Sequence, residues 1–144
     1  MMDAPIAGFF DDYRFLSNFY DAPVPFDGLV YPNAECAFQA QKEPQYATLF
    51  VRQTAWQAKR NGRRARLRPD WDDVKDDLMY EIVRSKFRHN TGLREKLFAT
   101  GDRELIEENT WNDTYWGVSG GTGENRLGRI LMAVRDDLRR YEKG

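Results

Sequence analysis

The chain has 144 residues and a mass of 16.9 kDa, which fits one compact domain spanning 1–144. Twenty-two Lys and Arg stand against 23 Asp and Glu, and the net charge of −1 argues against a generally cationic nucleic-acid coat. Hydrophobic residues reach 41%, enough for a core, but no apolar run approaches the ~20 residues of a bilayer span, so no membrane partner is expected.

At the N-terminus, Met1 to Gly8 lacks the basic stretch and apolar segment of a secretion signal, and a cytoplasmic location is expected. Phe9-Phe10 and Phe19-Tyr20 are short apolar pieces. Val24 to Tyr31 sets an Asp27-Gly28 turn between two apolar arms and predicts a small hairpin. Pro32-Asn33 breaks the second arm, and Asn33 is placed to cap a helix running to about Lys42 and stopped by Pro44. A second helix is expected over Tyr46 to Arg60, closed by Asn61-Gly62 in a left-handed turn. Lys59 to Arg68 then carries six cations and no acid, whereas Asp70 to Asp77 carries five aspartates and one lysine.

Asp70 or Asp72 is positioned to cap a long helix in which Val74, Leu78, Met79, Ile82, Val83 and Phe87 recur at three- and four-residue spacings. A shorter helix starts at Thr91-Gly92 and closes at Thr100-Gly101, and Glu104 to Glu107 is a candidate strand. A loop rich in Asn, Asp, Trp and Gly spans Asn109 to Gly123. Leu127, Ile130, Leu131, Val134 and Leu138 then form a helical stripe ending near Tyr141, with Asn125 as its cap. Without repeats or linkers, the pattern predicts a mostly helical α+β domain with a small antiparallel sheet.

One cysteine, Cys36, and one histidine, His89, exclude an internal disulfide and a Cys- or His-rich metal site, so no metal is expected. Chemistry then falls to carboxylates, amides, aromatics and cations. Glu35, Gln39 and Lys42 share one arc of the first helix, bordered by Phe38. The alternative is a solvated stripe with a weak ion pair. Asp113 sits among Trp111, Tyr115 and Trp116, a set suited to a flat ligand or to plugging the core, with Asp113 capping a turn. Trp71 lies between Asp70 and Asp72, as a ligand contact or as a hydrophobic staple. Ser119 to Gly128 lacks a Walker A Gly-Lys-Ser/Thr and is no nucleotide-binding motif, although its glycines before a helix could position a phosphate. The cations from Arg63 to Arg68 read either as a contact to nucleic-acid backbone or as a helix end neutralised by the acids that follow.

Taken in order, Phe15-Leu-Ser-Asn-Phe-Tyr20, Tyr31-Pro-Asn-Ala-Glu-Cys-Ala-Phe-Gln-Ala-Gln-Lys42, Leu67-Arg-Pro-Asp-Trp71 with Lys75, Lys86-Phe87, Asn112-Asp-Thr-Tyr-Trp-Gly117 and Asn125-Arg-Leu-Gly128 with Leu131-Met132 resemble the YbiA-like NADAR (NAD and ADP-ribose) family. The resemblance implies the fold of that family and an N-glycosidase. Its substrates would be ADP-ribosylated guanine, in nucleic acid or as a nucleoside, or ribosylamino-pyrimidine phosphates of riboflavin biosynthesis. It implies functional roles for Glu35, Trp71 and Asp113, a pocket lined by Ser17, Asn18 and Phe19, and Lys42, Trp116 and Asn125 near it. Two positions depart from the family pattern: Cys36 stands where histidine is common, and Glu124 where the Gly-rich loop often carries lysine.

Cleaving a ribose C1–N bond builds positive charge on the sugar, so anionic groups beside C1 and an activated water are required. Glu35 or Asp113 would be the general base and the other would orient the ribose hydroxyls, while Trp71 would stack on the leaving heterocycle. Water is the co-substrate and no cofactor is called for. The rival reading is a module that binds ADP-ribose or a related nucleotide without cleaving it. In either case the stretch from Arg63 to Arg68 could reach a polynucleotide.

Overall fold

A computed structural model describes residues 3–143. Met1, Met2 and Gly144, the ends of the expected domain, lie outside the described residues. In chain order the elements are β1 (Ile6–Ala7), a 3-10 helix (Asp11–Leu16), β2 (Asp21–Phe26), β3 (Leu29–Asn33), α1 (Ala34–Ala40) and a second 3-10 helix (Pro44–Arg52). There follow α2 (Ala55–Gly62), α3 (Trp71–Arg88), α4 (Thr91–Ala99), β4 (Leu105–Ile106), β5 (Glu108–Asn109), β6 (Val118–Ser119) and α5 (Arg126–Lys143). The α+β class holds. Among the described residues, in place of one antiparallel sheet there are three two-stranded ladders: β2 with β3 is antiparallel, while β1 with β4 and β5 with β6 are parallel. No helix among the described residues is long and apolar enough to cross a membrane.

The chain gathers into two compact units, Asn18–Thr91 and Met1–Ser17 with Gly92–Gly144. In the central unit the β2–β3 hairpin turns through Asp27 and Gly28, both at positive φ, as a two-residue turn with right-handed strand twist requires. Asn33 caps α1 by accepting from the Cys36 N–H at 2.8 Å. Every residue of α1 is buried, alongside Val24 and Tyr31 of the hairpin and Met79, Ile82, Val83 and Phe87 of α3.

The expected helix over Tyr46 to Arg60 is two. Pro44–Arg52 winds as 3-10, the chain extends at Gln53, and Thr54 restarts it as α2 with a reciprocal capping box to Gln57. Gly62 ends α2 in right-handed rather than left-handed backbone. Its lack of a side chain serves proximity, since a Cβ there would fall on the Gln39 carboxamide. Asp70 precedes α3 without a side-chain cap and instead takes the Arg68 guanidinium at 2.6 and 3.1 Å.

In the terminal unit Leu127, Leu131, Val134 and Leu138 of α5 are buried, as are Leu97 of α4 and Leu105 of β4. Arg135, also buried, donates to the Thr100 hydroxyl at 2.9 Å. Asn125 does not cap α5 with its side chain. At φ +52° it accepts from the Glu107 N–H at 2.9 Å and donates to the Leu105 carbonyl at 2.9 Å, tying the start of α5 to the β4–β5 strap.

Candidate functional site

The central unit brings together most of the side chains marked out in the sequence. Glu35 enters in the first turn of α1, where its backbone N–H donates to the Asn18 carbonyl at 3.0 Å. Asn18 is itself buried, its amide directed at the Met79 sulfur at 3.4 Å. One turn along α1, Gln39 donates from Nε2 to Glu35 Oε2 at 2.6 Å. Glu35 and Gln39 are only 8% and 7% exposed, which removes the solvated-stripe alternative. A carboxylate held in so dry a place keeps a fixed direction and a strong field.

Lys42 ends the same arc. Its Nζ lies 5.9 Å from the centre of the Trp71 ring, and its carbonyl accepts from the Arg68 N–H at 2.9 Å. Burial lowers the Lys42 pKa. Arg63 and Lys75 press in the same direction, and the charge of Glu35 opposes them. Trp71 is 7% exposed and tilted against Phe38, with ring centres 5.1 Å apart, so it forms a wall beneath Lys42 rather than an open platform. Phe19 meets Trp56 edge-on at 5.0 Å, and the Lys59 ammonium lies over both rings. Cys36, at the departure from the family pattern, is buried, donates from Sγ to the Gln53 carbonyl at 3.3 Å, and is pushed up to about 12 by burial. As a thiol it supplies no nucleophile.

The other candidates belong to the terminal unit. Ser17 closes the first 3-10 helix, its N–H donating to the Arg14 carbonyl at 2.9 Å. Asp113 Oδ1 accepts from the N–H groups of Tyr115 and Trp116 at 3.2 and 3.0 Å, so this carboxylate holds the turn that carries both aromatics. Tyr115 and Trp116 meet edge-on at 4.8 Å, and the Arg126 guanidinium stacks over Tyr115 at 4.8 Å. Trp111 is more than half exposed and plugs no core. Glu124 Oε1 takes the Arg126 side chain at 3.0 Å, so a carboxylate stands in the glycine-rich loop that precedes α5.

Two residues carry more than the sequence assigned them. Gln39, already on the Glu35 arc, is the carboxylate's hydrogen-bond partner, a role foreshadowed by its i,i+4 spacing. Lys86 is 1% exposed, with its ammonium 5.9 Å from the Tyr20 ring and 5.1 Å from the Phe87 ring, and burial lowers its pKa to about 7. Along the basic run, Arg68 is neutralised by Asp70. Among the described residues Arg60, Arg63, Arg64 and Arg66 have no ion pair, so the acids from Asp72 onward do not fold back on them.

The family model described as NADAR domain matches residues 8–139. The chain is 42% identical over 134 residues to N-glycosidase YbiA of Escherichia coli (strain K12), covering 89% of this chain and 83% of that protein. It is 40% identical over 149 residues to riboflavin biosynthesis protein VVA0006 of Vibrio vulnificus (strain YJ016), covering 98% of this chain but 40% of that longer protein. The NMR structure of E. coli YbiA superimposes with a TM-score of 0.86 at 38% identity, over 99% of this chain and 89% of that one.

Proposed function

The chain belongs to the NADAR family and is a hydrolase of N-glycosidic bonds, and we propose that the bond it cuts joins ribose C1 to the amine nitrogen of a ribosylamino-pyrimidine phosphate. The observation that carries this reading is the buried Glu35 carboxylate, aimed by Gln39 at 2.6 Å. Relatives named as riboflavin biosynthesis proteins in Vibrio vulnificus and Arabidopsis thaliana support the choice of substrate.

As the C1–N bond lengthens, its electron pair leaves with the nitrogen and positive charge spreads over C1 and the ring oxygen. A carboxylate in a dry, preorganised setting lowers the energy of that charge more than water does. Glu35 takes a proton from the attacking water as the remaining hydroxyl bonds to C1, and returns that proton through solvent to the departing nitrogen, giving the ribose phosphate and the free aminopyrimidine with the carboxylate restored. Asn18 and Gln39 fix the acid, and Lys42 draws the acidic end of the substrate toward the Trp71 wall. Asp113, with Oδ1 engaged by two backbone N–H groups, shapes the Tyr115-Trp116 turn and leaves the base role to Glu35.

The test is to incubate the protein with the ribosylamino-pyrimidine 5-phosphate and follow free aminopyrimidine by chromatography. Release that disappears in Glu35→Gln is expected. Tight binding without release would make the protein a nucleotide-binding module instead. A second reading, removal of ADP-ribose from guanine in a polynucleotide, is favoured by the unpaired guanidiniums of Arg60, Arg63, Arg64 and Arg66. ADP-ribosylated oligonucleotide as a parallel substrate tests it.

A further inference from the structure

We propose that Gly62, the last residue of α2, is a positioning residue of the reaction: its bare Cα backs the Gln39 carboxamide in the rotamer that bonds Glu35. This deepens the glycosidase reading and rests on Glu35 as the base. Glycine at this point answers no demand of the backbone. Gly62 has right-handed backbone within α2, where alanine would be the better helix former. What glycine provides is room. A Cβ at 62 would fall 1.9 Å from Gln39 Oε1 and 2.6 Å from its Cδ, far inside contact distance. The hydrogen that stands in that direction points at Oε1, a buried oxygen with no hydrogen-bond partner, and serves it as a weak C–H donor.

The carboxamide is thereby fixed at both ends. Nε2 donates to Glu35 Oε2 at 2.6 Å, and an oxygen in its place would face the carboxylate as a second acceptor. Nitrogen toward Glu35 leaves oxygen toward Gly62. Both Gln39 and Glu35 are buried, so bulk water competes for neither end. On another side Gln39 borders a cleft of about 210 Å³, lined also by Glu43, Phe50, Gln53, Asn61 and Arg64. A methyl at 62 would push the end of a flexible side chain rather than backbone, and the cleft gives that end somewhere to go. The substitution is therefore mild for the fold and damaging to the aim of the acid. The carboxamide swings off Glu35, and the carboxylate loses its donor. Misplacing a reacting group by about 1 Å costs up to roughly 100-fold in rate.

The test compares wild type, Gly62→Ala, Gln39→Ala and the double variant on the ribosylamino-pyrimidine 5-phosphate, with a thermal melt of each. Gly62→Ala is expected to melt at or above wild type and to lose about ten- to a hundredfold in kcat with KM little changed. Gln39→Ala should lose a similar factor. The double variant should be no slower than Gln39→Ala alone, because the group that the methyl displaces is already gone. Losses that multiply, or a Gly62→Ala melt far below wild type that Gln39→Ala does not repair, would leave Gly62 a packing role alone and overturn the proposal. A second readout is independent of turnover. In proton–nitrogen NMR spectra the Gln39 side-chain amide, identified by its loss in Gln39→Ala, should shift between wild type and Gly62→Ala. An unmoved amide overturns the positioning role, and so does a moved amide with full kcat. If Glu35→Gln keeps wild-type turnover, or wild type releases no base, the assignment of the base falls instead, and the amide resonance alone decides whether Gly62 sets the carboxamide.

Discussion

Two acids that look alike in the sequence, each beside aromatics, meet different fates in the two units. Glu35 sits on a buried helix face where its carboxylate accepts from another side chain, Gln39. Asp113 sits in a turn where Oδ1 is committed to two backbone donors. A helix satisfies its own backbone and leaves its side chains for chemistry, whereas an irregular loop recruits side chains to satisfy the backbone. Two carboxylates thus differ in what holds them: a side chain of the same helix at Glu35, and the backbone of its own turn at Asp113.

The strongest way to break this contrast is Glu35→Gln. The amide keeps the shape and can still bond Gln39, but it neither accepts a proton nor opposes an oxocarbenium ion. Turnover should fall about 10²–10⁴-fold with the fold intact. A rate within about threefold of wild type would take Glu35 out of the reaction.

Next is Lys86, a charge buried in the same unit as Glu35. Its folded pKa of about 7 lies below the ordinary 10.5, so between those values the unfolded chain holds a proton that the folded one lacks. Stability should therefore rise with pH through that window and be lowest below it. Lys86→Met should raise the melting temperature at pH 6 and flatten the rise measured in melts from pH 6 to 10.

Smaller is the effect of Asp113→Ala on stability, about 1–2 kcal/mol by urea titration, because the turn loses two backbone acceptor bonds. No loss of stability would show that the turn holds without the carboxylate. The smallest expected change is that of Arg64→Gln with Arg66→Gln. On a mononucleotide substrate it should leave activity nearly unchanged across a salt series. Loss confined to a modified oligonucleotide, largest at low salt and with a shallower salt dependence than wild type, would favour the polynucleotide reading.

Much of the central unit was legible in advance, because its signals are local. Asp27-Gly28 specifies the hairpin turn, Asn33 caps α1, and the 74–87 stripe is α3. The break at Gln53 was also written in the chain as Thr54-x-x-Gln57, but the apolar spacing from Tyr46 onward masked it. Lys86 occupies the stripe position set by Met79, Ile82 and Val83, and a charged residue there reads as an exception until its burial is seen. The two-residue strands β1, β4, β5 and β6 carry no periodicity of their own and exist through pairing. Asn125 looked like a cap because an Asn before a helical stripe usually is one, yet its side chain serves the neighbouring strap. Of the candidate site, the Glu35–Gln39–Lys42 arc follows from helix geometry, while the close approach of Gly62 to Gln39 depends on how 62–71 wraps the end of α1.

The most direct test sets Glu35→Gln beside Asp113→Asn on the ribosylamino-pyrimidine 5-phosphate, with released aminopyrimidine measured at saturating substrate. Asparagine at 113 keeps an oxygen for the Tyr115 and Trp116 N–H groups, so its rate should stay within about tenfold of wild type while Glu35→Gln loses about 10²–10⁴-fold. Equal losses, or the larger loss at Asp113, would contradict the assignment of the chemistry to Glu35.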